Sequence, residues 1–287
     1  VLSAIACFFM VTVCAMFAST FPRSDAVPYV TSTRVSNPYM GFALSWSWAY
    51  ATYFFAAWTG WAISSIALSD AFMIIGHLYN IPSLVEFSSF TVSPAGIMII
   101  GSIVIFFSFF LQIVGMRIYY RVLNPLTIIA IISACVLVVV LGTATHEQFV
   151  ASYNSFMTIY APENPNYYDY VIKTAGENGY SFTGFNWTDT VGAMTMPFFA
   201  LAYMVTACLQ CGELRGANSL KVQATTLNGA LLLMAILMGL SAYFSTQVFS
   251  QEFLGSVGWL FWVVPEKLAM PAPPYIQLLA GLFTHPA

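Results

Sequence analysis

Residues 188–244 read TDTVGAMTMPFFALAYMVTACLQCGELRGANSLKVQATTLNGALLLMAILMGLSAYF. An apolar segment runs to Cys211 and stops at a charged knot, Gly212-Glu213-Leu214-Arg215-Gly216, and a second apolar segment starts near Val222. Each is about 20 residues long, enough to cross a hydrocarbon layer of about 30 Å at about 1.5 Å per residue. The pattern predicts a membrane helical hairpin with its charges held at the turn. Pro197 lies in the first helix beside the small residues Ala200 and Ala202, where a transmembrane helix can bend or break.

The rest of the chain agrees with a lipid solvent. Of its 287 residues, 59% are apolar and 7% charged, against about 25% charged in soluble domains. The net charge of −3 names no partner and gives no basic surface for nucleic acid. The first 20 residues are apolar but lack a basic leader and a clear cleavage pattern, so they read as a spanning helix. Five cysteines, Cys7, Cys14, Cys135, Cys208 and Cys211, all fall in apolar helical stretches and read as small buried hydrophobes. Cys208 and Cys211 have redox or metal spacing, but no His or second pair accompanies them.

Six spans are expected, at about 1–20, 41–69, 94–114, 122–143, 190–211 and 222–246, in a single all-α polytopic transmembrane domain over 1–287. The connections alternate in charge. Those at 21–40, 115–121 and 212–221 hold Arg23, Arg34, Arg117, Arg121, Arg215 and Lys221, against only Asp25 and Glu213. The opposite ones hold Asp70, Glu86, Glu147, Glu163, Asp169, Glu177, Asp189, Glu252 and Glu266, against Lys173 and Lys267. The positive-inside rule then makes the basic connections cytoplasmic and starts residue 1 outside, as in a multi-pass protein of the cell membrane.

Pro22, Pro28 and Pro38 limit regular helix in 21–40, and Asn37-Pro38 makes a turn before the next span. That span carries Trp46, Trp48, Tyr50, Tyr53, Trp58 and Trp61, a stripe that suits packing and interface anchoring, or the lining of a substrate path. Residues 144–189 form an external loop with short amphipathic helices at 146–158 and 167–176. Asn186-Trp187-Thr188 matches a glycosylation sequon and reads as a bystander. Trp259, Phe261 and Trp262 suit a helix at the membrane interface, and a further apolar segment begins near Ile276, cut off at Ala287.

Catalytic chemistry finds no support. His77, His146 and His285 fall in predicted loops, and no Ser/His pair, phosphate loop, metal cluster or paired carboxylate stands out, so no catalytic residue, metal or cofactor is expected. Ionisable residues inside the predicted spans are almost lacking. What remains there is hydroxyl and aromatic, including Ser45, Ser64, Ser102, Thr127, Thr195 and Thr206. Most such hydroxyls bond their own helix backbone.

Three stretches resemble the amino acid–polyamine–organocation permeases. Thr20 to Tyr29, TFPRSDAVPY, resembles the family's FPRSGGPYVY pattern; Arg117 to Thr127, RIYYRVLNPLT, resembles KLSARVQNVLT; Phe198 to Ala224, FFALAYMVTACLQCGELRGANSLKVQA, resembles FFAFGGFEAIANLAGEVKNPKKTIPRA without a gap. The Gly-Glu pair at 212–213 is the most specific part. In this order the pieces correspond to family helices two to seven and the start of helix eight, with helix one and the later helices lying outside this sequence.

The resemblance implies the five-plus-five inverted-repeat fold of the leucine-transporter type. It implies a secondary active transporter that moves amino acids or related amines across the bilayer by alternating access, with H+ or Na+ as coupling ion. The broken helix six would fall on Phe199, Ala200, Leu201, Ala202 and Tyr203, whose exposed backbone groups would hold the substrate. Phe198 or Phe199 would shut the pocket, and Glu213 would steady the cytoplasmic turn. The chain departs from the family where Ala202-Tyr203 replaces Gly-Gly, where Val205 replaces a Glu, and where Ala130 replaces a Lys linked to proton coupling. These changes argue against a cationic substrate at Val205 and against coupling through helix five. The alternative is a non-transporting helical subunit or scaffold of a larger complex.

Overall fold

The computed structural model describes residues 2–21, 27–184, 186–202, 216 and 218–269. No strand occurs among the described residues. The helices are α1 (Leu2–Thr20), α2 (Val27–Val35), α3 (Pro38–Ala62), a π-helical segment (Ile63–Leu68), α4 (Ser69–Leu78), α5 (Pro82–Val92), α6 (Pro94–Val114) and α7 (Met116–Thr143). They continue with α8 (His146–Met157), α9 (Tyr167–Glu177), α10 (Trp187–Ala193), α11 (Thr195–Ala202), α12 (Leu220–Phe249) and α13 (Gln251–Val263), and a 3-10 turn at Pro265–Lys267 follows. Five stretches are long and apolar enough to cross a membrane: Leu2–Thr20, Pro38–Gly76, Pro94–Val114, Met116–Thr143 and Leu220–Phe249. Of the sixth expected span, α10 and α11 are described, and 203–211 lie outside the described residues.

Several local expectations change. Residues 27–35 are helical despite Pro28, which occupies the second position of α2, where a missing N–H costs nothing. Asn37 then caps α3, its Oδ1 accepting from the Met40 N–H at 2.9 Å, with Pro38 as the first helical residue. The basic stretch 115–121 is not a loop. Gly115 alone breaks the path at φ 117°, and α7 begins at Met116, so Arg117 and Arg121 stand exposed on its first turns. The helix after α3 does not end at 69. It runs on through Asp70 and His77, and His146 is the first residue of α8, so neither histidine sits in a loop.

Packing divides the chain into two units, Val1–Phe54 with Gly184–Leu240, and Phe55–Thr183 with Ser241–Ala287. In the first unit, α1 buries Ser3, Cys7, Val11, Ala15 and Ala18. That spacing is one helix face, and its small side chains let neighbouring helices come close. Leu201 of α11 and Leu227 and Leu231 of α12 fill the same core. Polar contacts pin it: the Ser3 hydroxyl donates to the Met194 carbonyl at 3.0 Å, and the Asn228 amide donates to the Thr12 hydroxyl at 3.3 Å. Interhelical bonds of this kind contribute about 0.6 kcal/mol on average in membranes.

The second unit holds an aromatic core. The amphipathic helices expected in 144–189 are α8 and α9. Thr145 and Gln148 form a reciprocal cap at the start of α8. Phe149 and Tyr153 of α8, Tyr167 and Tyr168 of α9, and Phe253 of α13 are almost fully buried together. Phe253 stacks on Tyr168 at 4.4 Å between ring centres and meets Tyr153 edge-on at 5.2 Å. The His146 Nδ1 lies 2.8 Å from the Val248 carbonyl, tying α8 to the end of α12. Emptying a buried aromatic site costs about 3–5 kcal/mol, so this cap is a well-fixed body. Asn186 has a structural role, its side chain accepting from the Thr188 N–H at 2.9 Å to cap α10. By contrast α6 and α7 each bury only 6% of their most apolar window, leaving Phe106, Phe109 and Ile113 on an outer face suited to lipid.

Candidate functional site: a buried carboxyl on an interrupted membrane helix

The sequence Ile63-Ser64-Ser65-Ile66-Ala67-Leu68 lies in the middle of an apolar helix. Its serines compete with the backbone for carbonyl groups. The Ser65 hydroxyl donates to the Trp61 carbonyl at 2.7 Å, one turn back. The Ser64 hydroxyl instead leaves its own helix and donates to the Thr91 carbonyl of α5 at 2.8 Å. The backbone widens to π geometry over Ile63–Leu68, while the flanking Ala62 and Ser69 stay right-handed helical, so the rod continues. Single π turns of this kind recur at functional sites.

Beyond this turn the helix meets α5. Asn80, at φ 53°, reverses the chain, the Ile81 N–H donates to the Gly76 carbonyl at 2.8 Å, and Pro82 opens α5. Gly76 makes the return possible, because a Cβ there would lie 2.7 Å from the Val85 side chain and 3.1 Å from its backbone nitrogen. Gly60 and Gly101 bring α3 against α6 in the same way. On α5, Ser88 donates to the Val85 carbonyl and Thr91 to the Ser88 carbonyl, both at 2.7 Å.

The seam so formed buries Ser64, Ser65, Ser69, Asp70, Met73, Ser88 and Thr91. Asp70 is 7% exposed, yet its Oδ1 has no hydrogen-bond partner, and neither has the Ser69 hydroxyl. Among the described residues no basic side chain pairs with Asp70. α6 and the π segment carry no ionisable residue, and Glu86, the one acid of α5, is exposed. Among the described residues no group of three or more His, Cys, Asp and Glu is arranged to hold a metal ion. An uncompensated buried carboxylate is costly, and inside a membrane helix such a group marks an ion path or ligand site.

Sequence reasoning assigned Asp70 to an outer loop. The missed signal is the run Ser65, Ser69, Met73, Gly76, which keeps helical spacing past residue 69, with no Gly-Pro punctuation until Asn80 to Pro82.

The residues predicted to hold substrate lie in the other packing unit. Through Ala202 their backbone is helical. Phe198 and Phe199 are 36% and 49% exposed, whereas Leu201 is buried against α1 and Ala202 packs beside it. The Phe198 carbonyl accepts from the Cys7 thiol at 3.6 Å. Tyr203 and Glu213 lie outside the described residues. Searches of protein-family models, curated proteins and solved structures gave no match to this chain.

Proposed function

We propose that this chain is part of a secondary active transporter of the amino acid–polyamine–organocation permease kind. It moves an amino acid or related amine across a membrane by alternating access. The fold would be the five-plus-five inverted repeat, with substrate held at the helix end formed by residues 199–203 and coupling to H+ or Na+.

One observation carries the reading. In the resemblance the sixth family helix belongs to a moving bundle and the third and fourth to a scaffold. α11, the described part of the expected sixth helix, shares a core with α1 and α12 in one packing unit, α6, the expected fourth, falls in the other, and the expected third helix, 41–69, runs through both. Alternating access requires groups of helices that hold together by themselves, and the core shared by α1, α11 and α12 is such a group. The three sequence stretches that resemble the family add to this support, as do five membrane-length helices with a polar buried seam.

Uptake and exchange of a radiolabelled amino-acid and amine panel by the full-length polypeptide in proteoliposomes tests the proposal. Saturable exchange of at least one such solute is the expected result. A panel with no exchange above protein-free vesicles would overturn the transporter and leave the scaffold subunit.

A further inference from the structure

We propose that Asp70 is a proton-exchange site, and that its loading and release accompany the transport cycle. The inference rests on the transporter reading for its role in transport, but the binding of the proton does not depend on it.

Three features of the seam lead there. The first is charge. Asp70 is buried with one carboxyl oxygen unbonded, and no described cation faces it. The titratable groups on the elements packed around it are Asp70 and His77 on α4 and Glu86 on α5. Glu86 points outward, and the His77 side chain lies outside the described ones. Among the described side chains none offsets a negative carboxylate there. The second is hydrogen bonding. Ser64, Ser65, Ser88 and Thr91 all give their one hydrogen to backbone carbonyls, so none of these hydroxyls donates to the carboxyl. The Ser69 hydroxyl and one carboxyl oxygen are left without a partner. A carboxylate lacking such donors is neutralised by a proton bonded to its own oxygen. The third is mechanical. The carboxyl sits two residues past a π turn, in the first turn of the helix that α5 folds back upon. Adding or removing one charge there changes the electrostatics of the α4–α5 seam, where Gly76 already holds the backbones in contact. The proton enters by bonding to a carboxyl oxygen and leaves to water, so no other reactant is consumed.

The test uses the full-length protein in proteoliposomes, wild type beside Asp70→Asn. Two readouts are taken: substrate accumulation driven by an imposed H+ or Na+ gradient, and the infrared carboxyl C=O band between about pH 5 and about pH 9. In wild type, accumulation should follow the H+ gradient. In D70N it should fall to the level of protein-free vesicles, with exchange slowed but present and one pH-dependent carboxyl band missing. Accumulation driven by Na+ alone, unchanged H+-driven accumulation in D70N, or an unchanged infrared difference spectrum would each overturn the proposal. If D70N does not fold, Asp70→Glu replaces it: the band must move relative to wild type, and an unmoved band overturns the site. A band lost in D70N together with no transport by wild type would sustain the proton site and sink the transporter reading instead.

Discussion

The Ser64 hydroxyl donates a hydrogen bond to the Thr91 carbonyl at 2.8 Å, and both residues are wholly buried. This bond joins the π turn to α5 and spans 27 positions of sequence. Ser64→Ala removes the donor and leaves the carbonyl orphaned. The expected loss is about 0.6–1.5 kcal/mol, read as a lower thermal midpoint of the detergent-purified protein. An unchanged midpoint would mean that the carbonyl finds another donor.

A second contact is purely steric. A Cβ built on Gly60 would stand 3.1 Å from the Gly101 Cα, which is backbone and cannot swing aside. Gly60→Val should therefore push α3 from α6 at a cost of about 1–3 kcal/mol. Gly229, in α12, has nothing within 4 Å of such a Cβ. Gly229→Ala should leave stability equal or raise it by up to about 1 kcal/mol, through helix propensity. Thermal scans of the two variants side by side would separate crowding from a general intolerance of glycine replacement.

The aromatic cap should fail at high pH. Burial raises the Tyr153 phenol well above its usual 10.0 and pushes Tyr160 up to about 12. The folded state thus keeps protons that the unfolded chain gives up near 10.0. This contribution is fully present below that value and drains away as pH rises from there through the folded values. Near-ultraviolet circular dichroism should stay flat to about pH 10 and then fall, with phenolate absorbance rising alongside. A loss of signal well below that pH would point to another group.

Leu201 and Tyr203 should behave oppositely. Leu201 is 4% exposed against Cys7 and Val11, so Leu201→Ala should cost about 2–5 kcal/mol of stability. On the proposed transporter reading, Tyr203→Ala should change substrate affinity more than thermal midpoint. Unaltered exchange kinetics in the Tyr203 variant would remove it from the proposed binding site.

The parts of the molecule that could be read from sequence are those governed by local rules. Hydropathy and helical period located α1, α6, α7 and α12, and the amphipathic periods of α8 and α9 stood out within a polar stretch. Asn37-Pro38 read as a turn before a span from 41, whereas Asn37 caps a helix that already begins at Pro38. What escaped depends on long-range packing. The hydroxyl of Ser64 is drawn out of its helix by a carbonyl 27 residues away, and nothing within a short window signals that. Asp70 looked like a span boundary because a carboxyl is costly in lipid, and only the covering α5, admitted by Gly76, removes that objection. The proline rule misled at Pro28, where the start of a helix tolerates the ring.

The π turn has a consequence for register. Its wider loop accommodates one residue more than the regular ladder would. Deleting a single residue between Ile63 and Leu68 would let the helix close to ordinary pitch with the residues beyond kept on their face, whereas closing the intact sequence to ordinary pitch would rotate everything beyond by about 100°. Asp70, Met73 and Gly76 would then turn off the seam as a set, carrying the glycine notch away from Val85. The carboxyl's shelter from solvent thus depends on the wider pitch of the six residues upstream of it.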